Sequence, residues 1–79
     1  MKNKFVITVV GRDTVGIIAK VCTYLADHQV NILDISQTIV DGYFNMMMIV
    51  DAANAGDVTE MSGDLAALGQ EIGVVIRCQ

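Results

Sequence analysis

Asp41-Gly42 stands between two runs of strand-forming residues, Asn31 to Val40 (NILDISQTIV) and Tyr43 to Asp51 (YFNMMMIVD). Asp-Gly in that setting is a strong signal for a two-residue hairpin, because both central residues of the favoured turn need positive φ. Such a turn fixes the register. Val40 faces Tyr43, Ile39 faces Phe44, Gln37 faces Met46, Ile35 faces Met48 and Leu33 faces Val50. Alternation then gathers Leu33, Ile35, Gln37, Ile39, Phe44, Met46, Met48 and Val50 on one face, which is expected to be core. The other face mixes Asp34, Ser36, Thr38 and Asn45 with apolar residues, and is expected to be solvated or half covered.

The rest of the chain supplies what must cover that hairpin. Phe5 to Val10 (FVITVV), bounded by Gly11, is apolar, rich in β-branched residues and reads as a buried strand. Between Thr14 and His28 the period changes: Ile18, Val21, Cys22 and Leu25 recur at helical spacing, and Asp13 or Thr14 can cap the helix start. After a short loop from Ala52 to Asp57, Val58, Met61, Leu65, Leu68 and Ile72 form a second amphipathic stripe. Asp57 can cap that helix, Glu60 suits its dipole, and Gly73 can end it. Val74 to Cys78 (VVIRC) is a last strand. The order β-α-β-β-α-β predicts an α+β fold, the ferredoxin-like βαββαβ sandwich. It has an antiparallel four-stranded sheet with both helices on one face, in a single domain over residues 4–77. In that topology the second strand lies at an edge. Here the edge carries no proline and no lysine, which invites pairing with a second copy.

Composition narrows the function. With 79 residues and 53% apolar content, the chain is small and rich enough in apolar surface for some of it to face a partner. Nine acids outweigh five bases, and the bases Lys2, Lys4, Arg12, Lys20 and Arg77 form no run. Direct nucleic-acid binding is therefore not expected. No apolar stretch approaches the ~20 residues of a membrane span, and MKNK leads directly into a strand rather than a signal peptide. Cys22 and Cys78 have no CxxC partner, so a cytoplasmic protein with reduced thiols is the plain reading.

The loop VVGRDTVGIIAKV carries Gly11 and Gly16 at the spacing of a phosphate-binding loop, but Ile17 and Ile18 stand where Lys and Ser or Thr would be needed. A nucleotide triphosphatase is rejected. What remains is a turn from strand to helix. Its first-turn amides around Val15, Gly16 and Ile17 either meet a small anion such as a carboxylate or are simply capped by Asp13. Gly16 leaves the backbone bare to a ligand or a second chain.

FVITVV, then GRDTVG with IIAKV after it, then VNILDISQT together resemble the ACT domain family, over about Lys4 to Arg77. Asp13 to Gly16 (Asp-x-x-Gly) and Asn31-Ile32 carry the most specific part. NILDISQTIVDGYFNMMMIVD looks most similar to small free-standing single-domain members, which are similar to regulators of the glycine cleavage system. Val15 stands where the family usually has proline, which costs loop rigidity but leaves the amides. Similar proteins often continue into another short helix, whose role is not carried over to a chain ending at Gln79.

The resemblance implies a βαββαβ module that binds an amino acid or related small molecule at a homodimer interface formed through the second-strand edge. By position, the implied ligand-binding residues are Arg12, Asp13, Thr14, Val15, Gly16 and Ile17 of one chain with Asn31, Ile32 and Leu33 of the other. Amides near Gly16 would hold a carboxylate, Asp13 an ammonium, and Arg12 would close over an acid. A separate protein partner would read the bound state. The alternative is an assembly or protein-interaction module with no ligand.

Other residues are read more plainly. His28 ends a helix, where a cation suits the dipole, and no metal site or other cofactor is expected. Met46 and Met48 point inward and Met47 outward. Gln37 is the one polar residue of the core face and is expected to bond backbone or a helix end. Cys22 on the apolar stripe should be inert. No nucleophile–base set emerges, so no enzyme activity is expected.

Overall fold

The computed structural model describes residues 3–12, 15–54 and 59–79. It contains β1 (Lys4–Arg12), α1 (Ile17–Asp27), β2 (Asn31–Val40), β3 (Tyr43–Asp51), α2 (Thr59–Ile72) and β4 (Val74–Cys78). The four strands form one antiparallel sheet in the order β2-β3-β1-β4. Ile7 and Val9 of β1, Phe44, Met46, Met48 and Val50 of β3, and Val74 and Ile76 of β4 share a single buried cluster with residues of both helices. Both helices therefore cover the same face, and the ferredoxin-like expectation holds.

The hairpin forms as its dipeptide dictates. Asp41 has φ 53° and Gly42 φ 80°, and the register from Val40–Tyr43 to Ile35–Met48 is the one alternation predicts. Beyond Asp34 it departs. Ile32 pairs with Val50 and Asp34 with Ile49, so Leu33 is the extra residue of a bulge. Leu33 does not face Val50; it is 45% exposed, and the half-buried Ile32 packs on the core instead. Ile32 and Leu33 are adjacent apolar residues, so the sequence offers no period to choose between them.

A second correction concerns the rest of β2. Its predicted core face is open, with Ile35 44% and Ile39 58% exposed, and Gln37 exposed between them. Two helices over a four-stranded sheet cover β1, β3 and β4, leaving the outermost strand beyond their reach. Gln37 consequently makes none of the core hydrogen bonds expected of it. Met46 and Met48 are buried and Met47 is 53% exposed, as alternation requires.

The start of α1 differs as well. The helix begins at Ile17 with Gly16 as N-cap, later than the Thr14 start the periodicity suggested. Asp13 and Thr14, the expected caps, lie outside the described residues, as do Asp57 and Val58 before α2. The buried stripe of α1 is Ile17, Val21 and Leu25: Val21 and Leu25 are core as the spacing predicts, Cys22 is half-buried, and Ile17 takes the inward place expected of Ile18, which turns to the flank. The helix closes in a Schellman arrangement. The Val30 amide donates to Leu25 O at 2.9 Å, the Gln29 amide donates to Ala26 O at 3.2 Å, and Gln29 takes φ 63°.

The two loop glycines serve different ends. Gly11 lies inside β1, and a Cβ there would stand 2.9 Å from Val74 Cα, so glycine is required by the close approach of β4. Gly16 has open space around it, but its φ of +91° is a conformation that L side chains rarely adopt.

Candidate functional site

At the end of the sheet where β1 stops, the first turn of α1 leans over the open edge strand. Between them is a cleft of about 260 Å³, lined by Gly16, Ile17, Ile18 and Ala19 of the helix start, Gln37 and Ile39 of β2, and Phe44 of β3. The backbone ladder of α1 begins with the Lys20 amide donating to Gly16 O at 2.9 Å. The amides of Ile17, Ile18 and Ala19 therefore have no acceptor within the helix. Gly16 carries no side chain to cap them, and they give this end of the cleft its positive potential. The remaining walls are apolar except for the Gln37 amide, which can donate and accept. The arrangement suits a small molecule with an anionic group at one end and an apolar or amide-matched body at the other.

The predicted site residues are distributed as follows. Gly16 and Ile17 line the cleft. Val15 is fully exposed beside it. Arg12 lies on the opposite face of the sheet, its guanidinium carbon 6.0 Å from the centroid of the Tyr43 ring. Asn31, Ile32 and Leu33 lie at the far end of β2. Arg12 and Val40 both pair with Tyr43, whereas Asn31 pairs with Asp51, itself opposite Lys4. That is the length of the strand, about 30 Å at ~3.3 Å per residue. One chain does not bring the loop and the Asn31 segment together. Gln37, Ile39 and Phe44 were absent from the predicted set. The available signal was Gln37 itself, the polar interruption of an otherwise apolar face.

Elsewhere the helix layer is tied by Tyr24, whose hydroxyl donates to Asp64 Oδ2 at 2.7 Å. Burial, then that hydrogen bond and the nearby carboxylate, pushes the Tyr24 phenol well above its ordinary range. The His28 ring stacks on Tyr24 with centroids 4.0 Å apart. Burial pushes the Cys78 thiol up, away from the reactive thiolate form. Among the described residues no three His, Cys, Asp or Glu side chains gather as a metal site, and no helix is long and apolar enough to cross a membrane.

Similar proteins agree with this architecture. A UPF0237 protein of Bifidobacterium longum is 72% identical over 78 residues, covering 98% of this chain and 87% of that protein. An ACT domain protein from Streptococcus pneumoniae superposes with a TM-score of 0.87 at 43% identity, covering 98% of this chain and 88% of that one. A candidate glycine cleavage system transcriptional repressor superposes with a TM-score of 0.87 at 25% identity, and there the match spans 44% of that chain. The family model for the ACT domain matches residues 3–79, and the chain belongs to the ACT domain family.

Proposed function

We propose that this protein is a small regulatory module that senses an amino acid or closely related carboxylate, acting as a homodimer in the cytoplasm without catalysing a reaction. The observation that carries the reading is the cleft, where three helix-start amides without intrahelical acceptors face an apolar wall bearing the single polar side chain of Gln37. The carboxylate meets the amides of Ile17, Ile18 and Ala19. Asp13 would meet the ligand's ammonium, whereas Arg12, on the opposite face of the sheet, does not reach the cleft of its own chain. The outer wall comes from β2 of a second chain, the strand that carries Asn31, Ile32 and Leu33. Ligand favours one dimer geometry over another, and a separate protein reads the difference. Membership of the family supports this reading, as does the match to a candidate transcriptional repressor.

The test is calorimetric titration of the purified protein with the common amino acids. Saturable heat with one or a few of them is expected, and the absence of heat with all of them would sink the reading. A ligand-free interaction module is the second reading, and one observation favours it. The open face of the sheet exposes Val10, Met47, Ile49 and Val75 together, an apolar surface of the sort that docks a protein. Stable co-purification with one protein, unaffected by amino acids, would decide for it.

A further inference from the structure

The helices cover one face of the sheet, and strand pairing sets out the other in rows. In one row Met47 and Thr8 stand between Ser36 and Arg77. In the next, Ile49 and Val6 stand beside Asp34, and on the other side Asn45 and Val10 stand beside Val75. The middle of this face is apolar: Val10, Met47, Ile49 and Val75 are between 38% and 57% exposed. Charges stand around it. Arg12 closes one end, Lys4 and Asp51 the other, Arg77 lies on the β4 side and Asp34 on the β2 side. An apolar centre within a polar rim is the anatomy of an interface. The face is about 20 Å across its four strands and about 30 Å along the nine residues of β1. Two such faces in contact bury roughly 1,000 Å² in all, the least a specific interface needs.

We propose that this open face is covered by the same face of a second copy, the two sheets stacked about a two-fold axis that runs along the strands between β1 and β3. The pattern of charge selects the axis. About it, β1 of each copy lies over β3 of the other and the rows stay level, within the usual angle between stacked sheets. Lys4 then meets the partner's Asp51, and Asp51 the partner's Lys4, four charges of alternating sign. Arg12 lies over the partner's Tyr43. Arg77 lies over the partner's Ser36, beside the partner's Asp34. At the centre Met47 packs on the partner's Thr8 and Ile49 on the partner's Val6.

The other two-fold stacking puts the axis across the strands. Each strand then lies over its own reversed copy. With the faces centred, Lys4 meets the partner's Arg12 and Arg77 the partner's Arg77. Like charges opposed across an interface disfavour it. Stacking goes beyond the sensing reading, because it uses the side of the sheet away from the cleft and leaves the cleft and the β2 edge of each copy free. It shares its surface with the second reading and replaces a foreign protein by a second copy, since one two-fold operation matches the face to itself.

Two charge variants and their mixture test this in sedimentation velocity at low salt. Lys4→Glu leaves an acid at both positions, and Asp51→Lys leaves a lysine at both. Each should self-associate roughly tenfold more weakly than the unaltered protein. Mixed, the two should pair with each other, because the acids of one then meet the lysines of the other. The chain carrying both substitutions should self-associate as the unaltered protein does. Met47→Asp, at the centre of the face, should remove this association whatever the chain does along its β2 edge, and circular dichroism checks that each variant is folded. The mixing experiment stands even where Met47→Asp fails to fold. An association state that Met47→Asp does not change, or charge variants that never pair, overturns the proposal. So does a foreign protein that binds the monomer and is released by Met47→Asp. Titration with amino acids is scored separately. Ligand heat without stacking removes this inference alone, and stacking without ligand heat removes the sensing reading alone.

Discussion

The hydroxyl of Tyr24 donates to Asp64 across 2.7 Å, and this bond joins the third turn of α1 to the middle of α2 on the outer surface of the helix layer. A hydrogen bond to a carboxylate at a partly exposed position contributes about 1 kcal/mol. Tyr24→Phe should therefore lower stability by roughly that amount, a Tm shift of about 4–8 °C for a domain this small. Thermal denaturation of the two proteins side by side measures it, and equal Tm values would show that water replaces the bond at no cost.

The same contact makes stability depend on alkaline pH. In the unfolded chain the phenol ionises near ~10, whereas in the fold burial and the hydrogen bond to Asp64 hold it protonated to higher pH. The folded state thus binds more protons above that value. Its stabilising effect is complete below pH ~10 and is lost as pH rises further. Urea denaturation between about pH 9 and 12 should show stability of the wild type falling more steeply than that of Tyr24→Phe. The Cys78 thiol, also pushed up by burial, acts in the same direction in both proteins and drops out of the comparison.

Gly11 and Gly16 should respond differently to alanine. At Gly11 the new Cβ lies 2.9 Å from backbone Val74 Cα, which cannot move aside without parting β1 from β4. A loss of about 1–3 kcal/mol is expected from such overpacking. At Gly16 no atom is met, and only the φ of +91° is strained, at roughly 1–2 kcal/mol for an L residue in a left-handed conformation. Denaturant midpoints give both values. The two also separate by site: Gly16→Ala should weaken ligand binding, and Gly11→Ala should not, once both are compared well below their Tm.

Gln29 holds the left-handed position that ends α1, at φ 63°. Glycine adopts that conformation without steric cost, so Gln29→Gly should stabilise the protein by about 1 kcal/mol. The Schellman bonds from Val30 and Gln29 to Leu25 and Ala26 use backbone atoms alone and persist. A lower Tm would mean that the Gln29 side chain contributes more than its backbone strain removes.

Ile39 supplies one wall of the cleft and is 58% exposed. Ile39→Asp sets a carboxylate where the bound carboxylate must approach, and should weaken binding at least tenfold with less than about 1 kcal/mol of change in stability, as exposed sites tolerate substitution. For the unaltered protein, ligand at 100 times its Kd should add about 2.7 kcal/mol, readable as a rise in Tm that the variant lacks.

Local chemistry made much of this fold legible. Asp41-Gly42 could turn only one way, and β-branched runs broken by helical spacing gave the order of the elements. Gly73 marked the end of α2 and takes φ 83° there. Where two apolar residues stood side by side, local chemistry ran out. Ile32 and Leu33 could each have faced the core, as could Ile17 and Ile18, and in both pairs the first residue went inward. A period cannot choose between neighbours; the bulge in β2 and the angle at which α1 crosses the sheet chose for them.

The candidate site divides along the same line. The sequence by itself determined the pieces: a glycine that starts a helix with bare amides, an unblunted edge strand, and a lone glutamine among apolar residues. Only the tertiary structure decided how they meet. It laid the helix start over Gln37 and Ile39, turned Arg12 to the other face of the sheet, and put the Asn31 segment a strand's length away. The physical reason is coverage. Two helices bury three strands and leave the fourth open, so the residues that alternation assigns to the core of β2 become the wall of a cleft on an open edge.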